Sequence, residues 1–437
     1  MIRSFVKRIL VEILRIEAVF ILKKYRPRIV GVTGSVGKTS TKDAIALALS
    51  ARYTVGKSPK TYNTEVGIPL TILGCKTGWT NPLLWLKNIL EGIGVLLFRG
   101  SYPEWLVIEI GIDAPGDMRQ IARWLPLDIA VLTYVGTSPV HVEFFGSPEK
   151  LRAEKGLILD CLREGGVFLK NADDASLATI QSRRGHRTYT YGYSDQSDFR
   201  IADEHSETTR IDHGIEYESG ISFEAIADAV NGRISLVGMG GKQLAYAAIA
   251  AYAVANIAGV PGPQAAAALT AFSNPSGRLR PISGIKQSLI IDDSYNSSPA
   301  ALQLALFQLG KIKTTGRKIA VLGDMLELGR FTIVAHEEAG AQVAHVADIL
   351  LAVGVRSKFI LEGALRAGMK ESSLAHFDRS EEAGFALQEL LREGDVALVK
   401  GSQSMRMERV VAEVMKEPSR RNELLVRQDD YWRSKKN

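Results

Sequence analysis

The stretch that most narrows what this chain can become is Gly31-Val32-Thr33-Gly34-Ser35-Val36-Gly37-Lys38-Thr39-Ser40-Thr41. An apolar pair, Ile29 and Val30, leads into it, and an alternating polar and apolar segment, Lys42 to Ala51, follows. The pattern predicts strand, glycine loop, helix. Such a loop turns successive backbone N–H groups toward a phosphate, and the helix N-terminus adds its partial positive charge. Lys38 is then placed to reach the terminal phosphates, and the Thr39 hydroxyl to hold a magnesium ion. A generic Walker A loop carries glycine where this sequence has Val32, so the form present is the narrower Thr-Gly-x-x-Gly-Lys-Thr. A glycine turn without a ligand has no steric use for a lysine and a threonine at these positions.

At 437 residues the chain exceeds one compact core, and two or three domains are expected. After the loop, strand-type runs at Tyr53–Lys57, Trp105–Gly111, Asp128–Val135, Val167–Asn171 and Thr188–Tyr193 alternate with helical stretches, one of them spanning Pro148 to Leu162. Alternation of this kind predicts a mainly parallel sheet covered by helices. Residues 195 to 240 lose it and read as antiparallel strands, and Lys242 to Ala271 reads as an alanine-rich helix. The Pro275-Ser276-Gly277-Arg278 turn marks a boundary. Beyond it, strands near Leu289–Asp293, Ile319–Gly323, Ile349–Val353, Leu374–Phe377 and Val396–Val399 alternate with helices, the pattern of a second, doubly wound unit. The expected organisation is therefore α/β throughout. A helix at 1–27 precedes a central P-loop ATPase-type domain at 28–274 with a mainly parallel sheet, and a Rossmann-like domain occupies 275–437.

Two apolar stretches stand apart from this scheme. In residues 2 to 22, Ile2, Phe5, Val6, Ile9, Leu10, Ile13, Ile16 and Phe20 recur at helical spacing among Arg3, Lys7, Arg8, Glu12 and Arg15. The charges interrupt any run long enough to span a bilayer, and no small-residue cleavage site follows, so an amphipathic helix is expected rather than an anchor or a leader. It can pack on the body or lie on a membrane surface. Residues 79 to 104 contain Trp79, Leu83, Leu84, Trp85, Leu86, Ile89, Leu90, Ile93, Val95, Leu96, Leu97 and Phe98, interrupted by Lys87 and Glu91. They read either as a core or partner-facing helix pair or as a second membrane-surface element. Peripheral membrane contact through residues 1–24 and 79–98 is accordingly one expectation. The net charge of +6 is mild, and no nucleic-acid partner is expected from it. Only two cysteines, Cys75 and Cys161, occur, without metal-type spacing, which fits a reducing cytoplasm or the inner face of its membrane.

Chemistry must come from what converges on the loop. Glu109 ends a buried-type strand, where open α/β sheets place their ligands, and can hold magnesium beside Thr39. His141, in the loop after the next strand, is a candidate second metal ligand by type alone. Lys155 alone would read as surface.

Three stretches together, Thr33 to Thr39, Asn63-x-Glu65-x-Gly67-x-Pro69 and Ile108-Glu109-Ile110-Gly111, resemble the ATP-dependent Mur ligases of peptidoglycan synthesis. Ile291-Asp292-Asp293-Ser294-Tyr295-Asn296-Ser297-Ser298-Pro299, Val321 to Gly329, and Val399-Lys400-Gly401-Ser402 with Met407-Glu408 resemble the MurF-type branch, which joins D-alanyl-D-alanine to a UDP-MurNAc-tripeptide. The resemblance spans about residues 28 to 415. It implies ATP and Mg2+ as cofactors, with Gly34, Ser35, Val36, Gly37, Lys38, Thr39 and Ser40 cradling phosphates. It also implies Thr39, Glu109, His141 and a carbamylated Lys155 as magnesium ligands. Lys38, Glu109, Lys155 and His141 become the catalytic set. Asn171, Arg278, Asp293, Tyr295 and Asn296 become nucleotide contacts, with Lys400 and Ser402 near the incoming amine. Two features depart from the pattern. Only about 30 residues precede the loop, too few for the UDP-sugar-binding domain usual there. Where the branch often shows Gly-x-His-x-x-x-Asn, this chain has Gly240, Lys242 and Tyr246.

The resemblance implies a cell-wall peptide precursor and D-Ala-D-Ala as partners in an amide-forming ligation through an acyl phosphate. A lipid-linked acceptor held by the two apolar stretches is an alternative, and a non-catalytic ATP-binding subunit is another.

Overall fold

The computed structural model describes residues 2–59, 62–79, 81–98, 100–136, 142–182, 185–227 and 231–434. Helix α1 (Ile2–Tyr25) precedes β1 (Arg28–Thr33), and α2 (Lys38–Ser50) springs directly from the glycine loop. Then come β2 (Val55–Lys57), α3 (Gly67–Leu73), α4 (Pro82–Leu97), β3 (Trp105–Glu109), β4 (Leu127–Leu132), β5 (Leu162–Asn171) and β6 (Arg187–Gly192). The long strands β7 (Phe199–Ile211) and β8 (Ile215–Ile226) and the shorter β9 (Gly232–Val237) complete a nine-stranded sheet of order β2-β3-β1-β4-β5-β6-β7-β8-β9. Pairing is parallel from β2 to β7 and antiparallel from β7 to β9. The switch follows the loss of strand–helix alternation after residue 195. The reversal itself comes at the β7–β8 hairpin, while β6 and β7, joined by residues 193–198, still pair in parallel over Tyr191–Gly192 and Phe199–Arg200.

Both faces of the parallel part are covered. On one, Ala44, Ile45, Ala48 and Leu49 of α2 pack with the alanine-rich helix Lys242–Ile257, whose small side chains allow close helix–sheet approach. On the other lie Leu14, Ala18 and Ile21 of α1 with Ile68, Leu70 and Ile72 of α3. β1 sits between β3 and β4, so the C-terminal ends of β1, β3, β4 and β5 share one edge. That edge carries the glycine loop, Glu109, Thr133 and Asn171.

A second sheet holds β10 (Arg280–Ser283), β11 (Leu289–Asp293), β12 (Lys318–Gly323), β13 (Ile349–Val353), β14 (Leu374–Phe377) and β15 (Val396–Lys400), in the order β10-β11-β15-β12-β13-β14. All pairs are parallel except the edge pair β10–β11. β10 was not foreseen in the sequence. Its Pro281 fits an edge strand, where a missing N–H costs no ladder bond. The two sheets meet through the β7–β8 hairpin, where Lys313 pairs with Glu216 at 2.7 Å and Lys311 with Glu218 at 3.5 Å. They meet again where Gly329 lies against Glu143.

Three local expectations need correction. The helix foreseen over Lys242–Ala271 is two, Lys242–Ile257 and Gly262–Leu269, because Gly259 (φ 87°) and Pro261 interrupt it. The helix foreseen over Pro148–Leu162 is α-helical to Gly156 and tightens to a 3-10 turn over Leu157–Cys161. Finally, the apolar stretch from 79 holds one helix, α4, rather than a pair. Asn81 accepts the Leu83 N–H at its start, and Pro82 sits in its first turn, where a missing N–H is harmless.

Candidate nucleotide and carboxylate-activation site

The loop's shape follows from two glycines. Gly34 has φ 148°, and a Cβ there would lie 1.9 Å from Thr133 Oγ1. Gly37 caps α2 with φ 84°, a left-handed conformation that glycine adopts without steric cost. From across the site, the Tyr134 carbonyl accepts the Ser35 and Val36 N–H groups at 2.8 and 3.0 Å, and Thr133 Oγ1 donates to Val36 O at 2.8 Å. Val32, where a generic loop has glycine, is still inside β1 and fully buried, in register with Glu109. Its backbone is extended, so nothing there calls for glycine.

That register sets the chemistry. Glu109, 1% exposed, ends β3 level with the start of the loop. Its Oε2 accepts the Thr39 hydroxyl at 2.9 Å, and its Oε1 accepts Asn63 Nδ2 at 3.0 Å. The sequence-matched Asn63 thus aims the carboxylate. Lys38 Nζ and Lys155 Nζ both donate to Gly34 O, at 3.0 and 3.1 Å. Lys155, which resembles a surface residue in isolation, is 2% exposed. Burial depresses the Lys38 pKa; Glu109 and Asp113 oppose this, while Arg278 adds to it. Burial, and next the neighbouring Lys38, hold Lys155 well below the ordinary lysine value, against a weaker pull from Asp113. A lysine in that condition is the kind that can present a neutral amine.

Oxygen donors from Thr39 and Glu109 suit a hard cation such as magnesium. Ser35 Oγ is buried within the loop and has no hydrogen-bond partner among the described residues, which fits a phosphate oxygen. No group of three or more His, Cys, Asp and Glu gathers among the described residues. His141, expected as a further metal ligand, lies outside them.

The second domain supplies a braced arginine. Asp292 Oδ2 accepts the Gly277 N–H at 3.1 Å and Asp293 Oδ1 the Leu279 N–H at 3.2 Å, so adjacent carboxylates hold both sides of Arg278. The Arg278 guanidinium stacks over the Tyr295 ring at 4.2 Å. Arg427 lies over the same ring, donates to the Ser294 and Tyr295 carbonyls, and pairs with Glu408 at 2.8 Å. Burial lifts Asp292 to about 6. Asp293, expected at the nucleotide, is engaged by Lys400 Nζ at 2.6 Å, and Lys400 also donates to Asn296 O. Ser402 Oγ accepts the Leu326 N–H at 2.9 Å, tying two motif stretches together. Asn171, at the end of β5, accepts the Asp173 N–H. Where the branch pattern has His and Asn, Lys242 lies over Tyr193 and Tyr246 donates to Asp173.

Sequence reasoning missed Asp113, Arg427 and the aromatic clasp between domains, in which Trp79 stacks on Tyr431 at 3.9 Å. Asp113 sits four residues past Glu109, a spacing that could have drawn notice. Arg427 and Tyr431 carried no local signal.

Profiles of known families match both halves of the chain. The Mur ligase middle domain matches residues 32–83 and 88–255, and the Mur ligase glutamate ligase domain matches 277–403. A UDP-N-acetylmuramoyl-tripeptide–D-alanyl-D-alanine ligase of Bacillus subtilis (strain 168) is 30% identical over 398 residues, covering 91% of this chain and 78% of that protein. This chain belongs to the Mur ligase family. The enzyme of the same name from Escherichia coli (strain K12) is 28% identical over 404 residues, with 90% and 78% covered. Among solved structures, the MurF ligase of Thermotoga maritima in complex with ADP has a TM-score of 0.73 at 27% identity, covering 94% of this chain and 84% of that one. MurF from Acinetobacter baumannii shares the fold, with a TM-score of 0.74 at 21% identity over 92% and 79% of the two chains. The Mur ligase match begins at residue 32, past α1, and lapses at 84–87, inside α4.

Proposed function

We propose that this Mur ligase joins D-alanyl-D-alanine to the peptide carboxylate of a UDP-MurNAc-tripeptide at the expense of ATP. The observation that carries the reading is the convergence of Lys38 and Lys155 on Gly34 O beside the Thr39–Glu109 pair, all on the edge where the glycine loop opens.

The reaction must bring a carboxylate to the γ-phosphate, two anions that repel. Lys38, held at the loop, supplies positive charge where the transferring phosphoryl group develops negative charge. Arg278, clamped by Asp292, Asp293 and Tyr295, brings a second cation from the other domain. Thr39, Glu109, His141 and carbamylated Lys155 would hold magnesium, which neutralises phosphate charge when bound. The acceptor carboxylate oxygen bonds to the γ-phosphorus as the bond to the bridging oxygen breaks, giving an acyl phosphate and ADP. The amine nitrogen then attacks the acyl carbon, phosphate leaves, and the nitrogen loses a proton. The domains also touch at Glu143–Gly329 and Trp79–Tyr431.

Phosphate release by the purified protein tests this. It should require ATP, magnesium, acceptor and amine together, and should vanish in Lys38→Ala. Tight ATP binding with no turnover would favour a non-catalytic subunit instead.

A further inference from the structure

α1 and α4 lie side by side, and each is apolar on the wrong side. The inner faces behave normally, with Leu14, Ala18 and Ile21 of α1 and Asn88 and Gly92 of α4 buried. The outer face of α4 presents Leu83 (73% exposed), Leu86, Leu90, Ile93 and Leu97 (73%), one unbroken helical stripe, and ends in Phe98 (73%). The outer face of α1 presents Ile9, Ile16 and Phe20, opposite its buried stripe. A contiguous exposed face of this size marks an interaction surface.

Charge narrows the partner. Residues 1–28 hold eight Lys or Arg against two Glu, which equals the net charge of +6 carried by the whole chain. Arg8 and Lys23 are exposed along one flank of the Ile9–Phe20 stripe, with Arg26 and Arg28 exposed just beyond the helix. A second copy docking on this face would set two such basic segments against each other, whereas an anionic bilayer complements them. The end of α4 is also prepared for an apolar setting. Lys24 Nζ donates to the Val95, Leu96 and Phe98 carbonyls at 2.8–3.0 Å, and the Tyr25 hydroxyl contacts the Val95 and Phe98 carbonyls. Carbonyls left open there would resist leaving water. Spanning is not in question: among the described residues no helix is long and apolar enough to cross a membrane.

We propose that α1 and α4 together form a docking surface for an anionic lipid bilayer, lying in its interface with the leucine stripe inward and the basic flank on the headgroups. The proposal does not depend on the ligase reading. It would place the bilayer next to α3, which packs against both helices and begins four residues after Asn63.

Flotation of the full chain with vesicles of phosphatidylcholine alone, or with phosphatidylglycerol added, tests it. Binding should require the anionic lipid and fall steeply with salt. Arg8→Ala and Lys23→Ala should each weaken it about fivefold. A Leu83→Asp, Leu90→Asp, Leu97→Asp variant, altered only at exposed positions and checked for an unchanged melting temperature, should lose it. No flotation with anionic vesicles, or equal flotation with both kinds, would overturn the proposal. So would a dimer abolished by the triple substitution in a chain that ignores vesicles.

Discussion

Around the phosphate loop, charged side chains are buried; on the α1–α4 pair, large apolar ones face solvent. Glu109, Lys42 and Lys155 are each at most 2% exposed, while Leu83, Leu97 and Phe98 are each 73% exposed. Both arrangements cost free energy in the isolated chain. In the loop the cost is met locally, because every buried charge has a designated acceptor or donor: Gly34 O, Ser58 O, Thr39 or Asn63. On the helix pair no protein group among the described residues meets it. The first region is complete within the chain, and the second is left open.

The largest expected effects test the finished region. Lys38→Ala and Glu109→Ala should each lower the ligation rate on the order of 10³-fold, the scale of removing a preorganised electrostatic contact, with the fold intact by circular dichroism. Retained activity in either would break the assignment. Lys155 should be next. Burial and Lys38 hold its pKa low, so its neutral amine is reached at lower pH than that of a surface lysine. Activity should therefore rise with pH and with dissolved carbon dioxide, and fall when bicarbonate is stripped. Lys155→Arg should abolish that dependence along with most of the activity. Carbon-dioxide-independent turnover in the parent protein would contradict a carbamylated Lys155.

Smaller effects are expected away from the loop. Tyr295→Ala removes the ring under Arg278 and should raise the KM for ATP on the order of tenfold, with a lesser change in kcat. The smallest lies at the seam of the other region. Glu17, buried between α1 and α4 beside Gly92, has one carboxylate oxygen without a partner among the described residues, and burial raises its pKa from 4.5 to about 7. The folded state thus keeps a proton that the unfolded chain releases. The stability linked to that proton is full below pH 4.5, declines up to about pH 7 and is absent above it. Glu17→Gln should flatten that part of the melting-temperature profile; an unchanged profile would remove Glu17 from the account.

Much of the finished region was legible in the sequence, because its parts are bound to backbone geometry. The strand–loop–helix order fixes where Lys38 and Thr39 stand, and a strand ending on Glu109 puts a carboxylate at the sheet edge. The five parallel strands of the second domain were legible for the same reason, through alternation with helices. The Arg427 brace was not, since long-range packing alone brings it to Ser294, Tyr295 and Glu408. The second region was legible only in part. Helical spacing in residues 2–22 and 79–98 shows that a face must leave water, but periodicity is silent on what receives it. In α1 the buried stripe went to the core and a second stripe was left outside; in α4 most of the apolar side was left outside. That allocation is set by how α1, α3 and α4 pack on one another, not by the stretch itself.

The most direct test of the central claim is the mass of the product. Purified protein supplied with ATP, magnesium, UDP-MurNAc-tripeptide and D-alanyl-D-alanine should yield one new species, the two substrates joined with loss of water, with one phosphate released per molecule formed. No such product, in a preparation that binds ATP tightly and from which Lys38→Ala removes that binding, would contradict the account.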